Sequence, residues 1–475
     1  MKRLFAIILL AVPVLFTQCR QEPLFVDPEK AENGEATDPN GESDDADEVN
    51  WEAAFDYVYD SSVIPEIHVT VSEEQWSKLL AAFDKNADTQ EFVECDVRYL
   101  KGKEIVHVSR AGLRLKGNTS RRRPMDENGA WHHCHYSVDF HKYVKDAAHT
   151  LKGVRRVDLK WFKDDPAYVR EIYCYDLFRR YGVWTAVNDI YSRLWIKVGN
   201  RAEAYLGVYG MLEHIDKNYL RARKKDFGDE DGNLWKCRYP ADLKSPDANI
   251  GIDENKSTHT YELKTNKEEG FSAAKAQLQD FIRKLNSLSG SSFNEWIASV
   301  MDVDLLLRTY AVNVAVGMWD DYWNNSNNYY LYFSNTDSGS YKVFFIPYDY
   351  DNTLGTSADC GVQSDSGRQD PLSWGHSSYP LMTKVLANSV WRESYKGYLR
   401  ELCAEGGLFH WRSSDSRIKA WQATIKDYVS NDTGEDMAIK DRPAGWGNHY
   451  EYRIMDTGSS NNYFKVKASS VAAMK

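Results

Sequence analysis

The chain has 475 residues, with 59 Lys and Arg against 70 Asp and Glu and a net charge of −11. That length is ample for a large core, built as one big domain or two lobes. Most of the negative charge sits in residues 20–50, and the roughly −4 left for residues 51–475 gives no basis for a nucleic-acid partner.

Lys2 and Arg3 precede a thirteen-residue apolar run, Leu4 to Phe16, interrupted by Pro13. The run is too short for a membrane span, which takes about 20 apolar residues, and it fits the apolar region of an export signal. Cys19 follows at once. Residues 1–19 are therefore predicted as a lipoprotein-type signal with lipidation at Cys19, which anchors the exported protein at the outer membrane or cell surface. Phe16 and Gln18 stand where a lipobox prefers Leu and a small residue. Residues 20–50 hold eleven acidic against two basic residues among Pro, Gly, Ser and Asn, and are predicted as a disordered acidic tether. The six later cysteines form no CxxC pair, which argues against a structural zinc site. One or two disulfides are open to them in an oxidising compartment, with no pairing assigned.

Residues 64–72 alternate like a strand, and Ser72 then caps a helix with Gln75 in the capping-box place. Strands are predicted over 92–99 and 105–116, with a turn at Gly102, and again over Tyr136 to Phe140. Residues 166–181 read as a helix, followed by strands at 189–198 and 204–212. The polar, turn-rich stretch 220–262 is predicted as an excursion or lid. Helices follow over 271–288, 293–300 and 303–318, then two strands over 329–334 and 341–347, and a helical tail over 380–428. A β-rich part at about 60–215 and a helix-rich part at about 270–475 predict an α+β protein of two lobes.

The densest chemistry lies between Trp319 and Thr353. A long helix ends in Asp320, Asp321 and a run of amides, and a hairpin then leads to Asp349 and Asp351. The hairpin brings its two open ends together. Extended backbone sets Asp349 and Asp351 on one face. Oxygen donors of this kind suit Mg²⁺ or Ca²⁺, and a carboxylate aimed at a hydroxyl can serve as a base; part of the cluster can also be turn chemistry. A second region runs from Gly112 to Arg121. There a strand presents Arg114 and Lys116 on one face, and Gly117-Asn118-Thr119-Ser120 offers a phosphate-cradling turn. Asp226-Phe227-Gly228 has the letters of the protein-kinase metal triplet but lacks its preceding buried strand, and is set aside. His132, His133, Cys134 and His135 have no second ligand group at a metal-site spacing and are predicted as an exposed loop.

Taken in order, these elements resemble the CotH family, a spore-coat-protein-H group with an atypical protein-kinase-like fold. Gly112 to Ser120 is similar to its Gly-x-Arg-x-(Lys/Arg)-Gly-Asn-(Ser/Thr)-Ser signature. Tyr136 to Phe140, Val169-Arg170-Glu171 and Gly207 to Glu213 follow in family order. Asp321 with Asn328 to Tyr332 resembles the Asp…Asn-Tyr-Tyr-Leu-Tyr block, and Pro347 to Gly355 the Pro-(Trp/Tyr)-Asp-x-Asp motif.

The resemblance implies a metal-dependent phosphotransferase that uses ATP and Mg²⁺, or another divalent cation, to modify protein hydroxyls. By it, Asp321 is the catalytic carboxylate, and Asn328, Asp349 and Asp351 hold metal. Arg114, Lys116 and Asn118 approach phosphates, Glu171 pairs a phosphate-binding lysine, and Glu213 joins the cofactor-binding set. Family members carry that lysine just before the strand matched by Tyr136 to Phe140. Here histidines stand in its place, and Lys142 and Lys160 are both open as substitutes. The export signal sets the implied activity where ATP is scarce. The alternative is a non-catalytic envelope or surface binder on a kinase-like scaffold, with Trp319, Tyr322 and Trp323 stacking on a glycan. A calcium-stabilised structural module is a third reading.

Overall fold

The computed structural model describes residues 51–475 except 119, 147–148, 253–258, 336–339, 357–364 and 444–449. The predicted signal, Cys19, the acidic tether and Cys360 lie outside the described residues.

Helix α1 (Trp51–Val58) leads into β1 (Glu66–Val71) and α2 (Glu73–Lys85). Ser72 caps α2 as predicted, its Oγ accepting from the Gln75 N–H at 3.1 Å. Gln75 does not complete the capping box; its side-chain oxygen accepts from the Glu94 N–H instead. There follow β2 (Val93–Lys101), β3 (Glu104–Lys116), β4 (His135–Asp139), β5 (Arg156–Trp161), α3 (Arg170–Arg180), β6 (Asp189–Val198) and β7 (Ala204–Glu213). These strands close into a barrel in the order β1-β2-β3-β4-β5-β7-β6, with β1 and β6 paired in parallel across the seam. Closure is a finding beyond the expected β-rich part. It follows from period-two patterning: Val69, Val97, Leu113, Leu115, Val138, Leu159 and Ile196 fill the interior. The alternate residues of β3, β4 and β5 face outward, with Arg114, Ser137 and Asp158 in one cross-strand row.

The stretch predicted as an excursion or lid contributes three short strands to a sheet. After α4 (Lys217–Ala222) and α5 (Lys224–Phe227) come β8 (Asn233–Cys237), β9 (Ile250–Gly251) and β10 (Tyr261–Leu263). Trp235 and Leu263 are fully buried, so β8 and β10 belong to the core. The polar composition of the stretch concealed strands too short to show a period. Asp226-Phe227-Gly228 is the end of α5, with Gly228 left-handed at the cap.

Next come α6 (Phe271–Ser287), α7 (Gly290–Val300), α8 (Val303–Val316), the single turn α9 (Tyr322–Asn325), and the hairpin β11 (Tyr329–Asn335) and β12 (Tyr341–Pro347). Helix α8 ends two residues before the predicted Met318, because Gly317 adopts φ 69° and terminates it. The second sheet has the order β12-β11-β8-β10-β9. The tail holds α10 (Pro380–Val385), α11 (Ser389–Cys403), α12 (Trp411–Ile425) and α13 (Tyr463–Ala472), the last unforeseen. The barrel core draws on residues 55–211, and the larger second core on residues 167–474. This is an α+β protein, β-rich first and helix-rich later.

The five described cysteines after Cys19 are free and buried. His133, Cys134 and His135 are buried as well, which corrects the exposed-loop reading; β4 starts among them, and Glu435 accepts from the His133 N–H. Trp319, Tyr322 and Trp323 are core side chains with at most 2% exposure, so they form no sugar-stacking face. Among the described residues no helix is long and apolar enough to cross a membrane.

Candidate active site at the junction of barrel and second sheet

The site begins with β5. Its Val157, Leu159 and Trp161 point into the barrel core, so Lys160 must point outward. Its ammonium meets Glu171 at 2.7 Å, Asp349 at 2.5 Å and Asp351 at 3.6 Å. Of the two lysines left open by the sequence, Lys160 reaches the acids. Lys142 lies over the Phe92 ring at 4.9 Å.

Glu171 is brought in by the first turn of α3. One face of that helix grips the turn after β12. Arg170, fully buried, donates to the Thr353 carbonyl at 3.1 Å and pairs with Asp165. Cys174 bonds the Thr353 hydroxyl, and the Asp349 N–H donates to the Tyr175 hydroxyl at 2.9 Å. The β11–β12 register sets Tyr329 opposite Pro347, so Asn328 and Tyr348 leave the open end together, as the sequence predicted. The backbone there is not extended. Asp349 has φ 63° and Asn328 φ 53°, and a left-handed turn rather than strand alternation brings both aspartates to Lys160. Non-glycine residues held in that region cost about 1–3 kcal/mol each and cluster at functional sites.

Burial works against every charge here, and neighbours decide the outcome. It disfavours the Lys160 ammonium, yet Asp349, Glu171 and Asp351 hold it well above the ordinary lysine range. It opposes the Asp349 charge, but Lys160, Lys116 and Lys236 hold that carboxyl at about 2. Asp351 goes up through burial, with Asp349, Glu171 and Asp320 adding like charge. Burial also raises Glu171 against the pull of Lys160.

The two acids after α8 have different environments. Asp321 is 1% exposed. Its oxygens accept from the Asn324 N–H at 2.8 Å and from the Asn313 amide at 2.6 Å, and it caps α9. Burial pushes it up to about 7. Asp321, implied as the catalytic carboxylate, therefore has almost no surface open to an acceptor. Asp320 is half-buried and held by the amides of Asn325, Asn327 and Asn328 at 2.6, 3.1 and 3.0 Å. Burial raises it to about 6, and its electrostatic neighbours include Asp349 and Asp351. Asn328 thus meets the acidic cluster through Asp320.

Lys116 donates to the Tyr348 hydroxyl and pairs with buried Asp158, both at 2.8 Å. Three predicted residues stand apart from the cluster. Arg114 bonds the Leu115 carbonyl and stacks on Phe92. Asn118 is exposed in the turn after β3. Glu213, implied among the cofactor residues, is fully buried and engaged by Arg223 and by the Asn188 amide. Lys160 sits on a strand absent from the sequence reading, although the in-out pattern of Val157, Leu159 and Trp161 announced it.

Among the described residues no three His, Cys, Asp or Glu groups converge as a metal cage. The donor set nevertheless fits Mg²⁺, which keeps several waters and takes one or two protein carboxylates plus phosphate oxygens. Asp349 and Asp351, each about a third exposed at 34%, are the carboxylates that would hold it.

A mixed α+β protein with a buried lysine clamped by acids from a helix and a hairpin turn is the class these features define. Residues 113–456 match the family described as CotH kinase protein, and the chain belongs to that family. It is similar to the inner spore coat protein H of Bacillus subtilis (strain 168), 29% identical over 291 residues, which cover 60% of this chain and 71% of the relative. It is also similar to spore coat protein homolog 1 of Rhizopus delemar, 20% identical over 411 residues, which cover 82% of this chain but only 57% of that relative.

Proposed function

We propose that this protein is a phosphotransferase of kinase-like, two-lobed design that moves the γ-phosphoryl group of ATP to a protein hydroxyl. The observation that carries the reading is Lys160 held between Glu171 on α3 and the Asp349–Asp351 turn. A lysine fixed by a helix glutamate beside metal-binding acids is the arrangement that positions nucleotide phosphates in protein kinases. Asp349 and Asp351 would hold Mg²⁺, which would supply charge neutralisation for the transferring group. Lys160 holds phosphate oxygens of the nucleotide. Asp320, rather than Asp321, is the base: it accepts the acceptor proton as the new O–P bond forms and the bond to the β,γ-bridging oxygen breaks. A value of about 6 leaves Asp320 mostly ionised at neutral pH yet able to take that proton. The spore-coat names of both relatives support a coat or envelope surface as its location and coat components as acceptors.

The test is a Mg²⁺–ATP thermal shift followed by incubation with labelled ATP, on wild type, Asp320→Asn, Asp321→Asn and Asp349→Ala. Wild type is expected to shift and to incorporate label. Asp320→Asn should keep the shift and lose about 10²–10⁴-fold in transfer. Asp349→Ala should lose both, and Asp321→Asn should affect melting more than transfer. A wild type that neither shifts nor incorporates label refutes the proposal and favours a non-catalytic surface protein.

A further inference from the structure

The face of the second sheet beside Asp349 carries more positive charge than it can neutralise. Lys236 on β8 lies opposite Tyr330 of β11 and Glu262 of β10. Trp235 and Cys237 turn into the helical core, so Lys236 takes the other face. Its ammonium lies 5.4 Å from the Tyr348 ring centre and 5.8 Å from that of Tyr330. The Lys116 ammonium is also 5.4 Å from the Tyr348 ring. Tyr348 therefore has a lysine from each sheet, immediately before Asp349 in the chain.

Glu262 is the acid in this row, and it is already committed. Fully buried, it pairs with Arg238 at 2.5 Å and with Lys264 at 2.8 Å. Burial works against its charge, but Lys264 and Arg238 hold its carboxyl below the usual range. Lys236 makes no ion pair among the described residues. Burial together with Arg238 and Lys116 presses its proton off, against the weaker pull of Glu262. A half-buried lysine among like charges works against folding, and the tyrosine rings offset only part of that cost. An arriving oxyanion would reverse the balance, because Lys236 gains a partner and the excess positive charge of the row is offset.

We propose that Lys236, with Lys116 across Tyr348 and Arg238 and Lys264 behind it, forms a subsite for a phosphate oxyanion next to the Lys160–Asp349 centre. Its location rests on the phosphotransferase reading, but binding of the oxyanion does not. The phosphate belongs either to the nucleotide tail or to a phosphorylated acceptor segment.

The experiment measures tripolyphosphate binding without metal to the full chain by calorimetry, in wild type, Lys236→Met and Lys236→Arg. That probe requires neither turnover nor Mg²⁺, so it separates this subsite from the failure of the activity. Lys236→Met should weaken tripolyphosphate about tenfold, the scale of one charge-assisted hydrogen bond. Lys236→Arg should restore most of the affinity. Melting temperature of Lys236→Met should stay level or rise, whereas a merely structural lysine would lower it. Two further titrations identify the source, one with a non-hydrolysable ATP analogue and Mg²⁺ and one with a phosphoserine peptide. A loss confined to either ligand supports the subsite and names its occupant. Equal tripolyphosphate affinity in wild type and Lys236→Met overturns the proposal. If Lys236→Met does not fold, Lys236→Gln takes its place with the same readouts.

Discussion

Replacing Lys160 with methionine removes the cation that compensates three carboxylates at once. Its side chain is 9% exposed, and the ammonium contacts Glu171, itself 8% exposed, and the more open Asp349 and Asp351. Breaking a fully buried pair by deleting one partner costs about 3–5 kcal/mol. The partial exposure of the two aspartates reduces this to about 2–4 kcal/mol at pH 7.5. With about 2.1 cal/mol/K of unfolding entropy per residue, a folded part of this size loses roughly 2–4 °C in Tm. The pH dependence is more telling. Lys160 is raised when folded, so its contribution is complete below the ordinary lysine range and fades only as pH rises above it. In Lys160→Met the stranded acids can relieve themselves by taking protons, so the deficit should shrink between pH 7.5 and pH 5. Scanning calorimetry of wild type, Lys160→Met and Lys160→Arg over that range measures it, with the arginine variant retaining most of the stability. A methionine variant as stable as wild type at pH 7.5, or a deficit that does not change with pH, would refute the cluster's electrostatic account.

Lys467 on α13 provides the opposite case. It is fully buried 4.5 Å from the Trp374 ring centre, its ammonium has no hydrogen-bond partner among the described residues, and burial lowers it to about 7. The folded state therefore loses stability as pH falls from the unfolded lysine range to about 7, and the penalty is flat below that. Lys467→Met should raise Tm, most at or below pH 7 and hardly at all near pH 10; equal gains at both ends would show that packing, not charge, is responsible. Glu213→Gln leaves buried Arg223 with a neutral partner and should cost about 3 kcal/mol, without changing ATP-analogue affinity. A change in nucleotide affinity at unchanged stability would return Glu213 to the cofactor residues.

What could be read from the sequence was whatever repeats over a sufficient length. The long strands β6 and β7 and the helices α6 and α8 were placed nearly to the residue, since their apolar periods run for ten residues or more. The short strands β8 and β10 were taken for a lid, because three to five residues with a lysine or glutamate among them show no period. Ordered motifs brought Asp349, Asp351, Glu171 and Lys116 to notice. They could not separate Asp320 from Asp321, which are adjacent in the chain and differ in which one the Asn313 and Asn324 amides enclose. Nor could they find Lys236, whose importance depends on a tyrosine 112 positions further along the chain.

The closed barrel also sets where the protein can be cut. The family match begins at residue 113, inside β3, and ends at 456, before α13. A chain started there would lack β1 and β2, opening the seam with β6 and baring two strand edges, a template for aggregation. It would also lose Tyr463 and Phe464 from the helical core. A fragment that keeps the barrel closed and the helical core whole therefore reaches beyond the shared pattern at both ends, from β1 through α13.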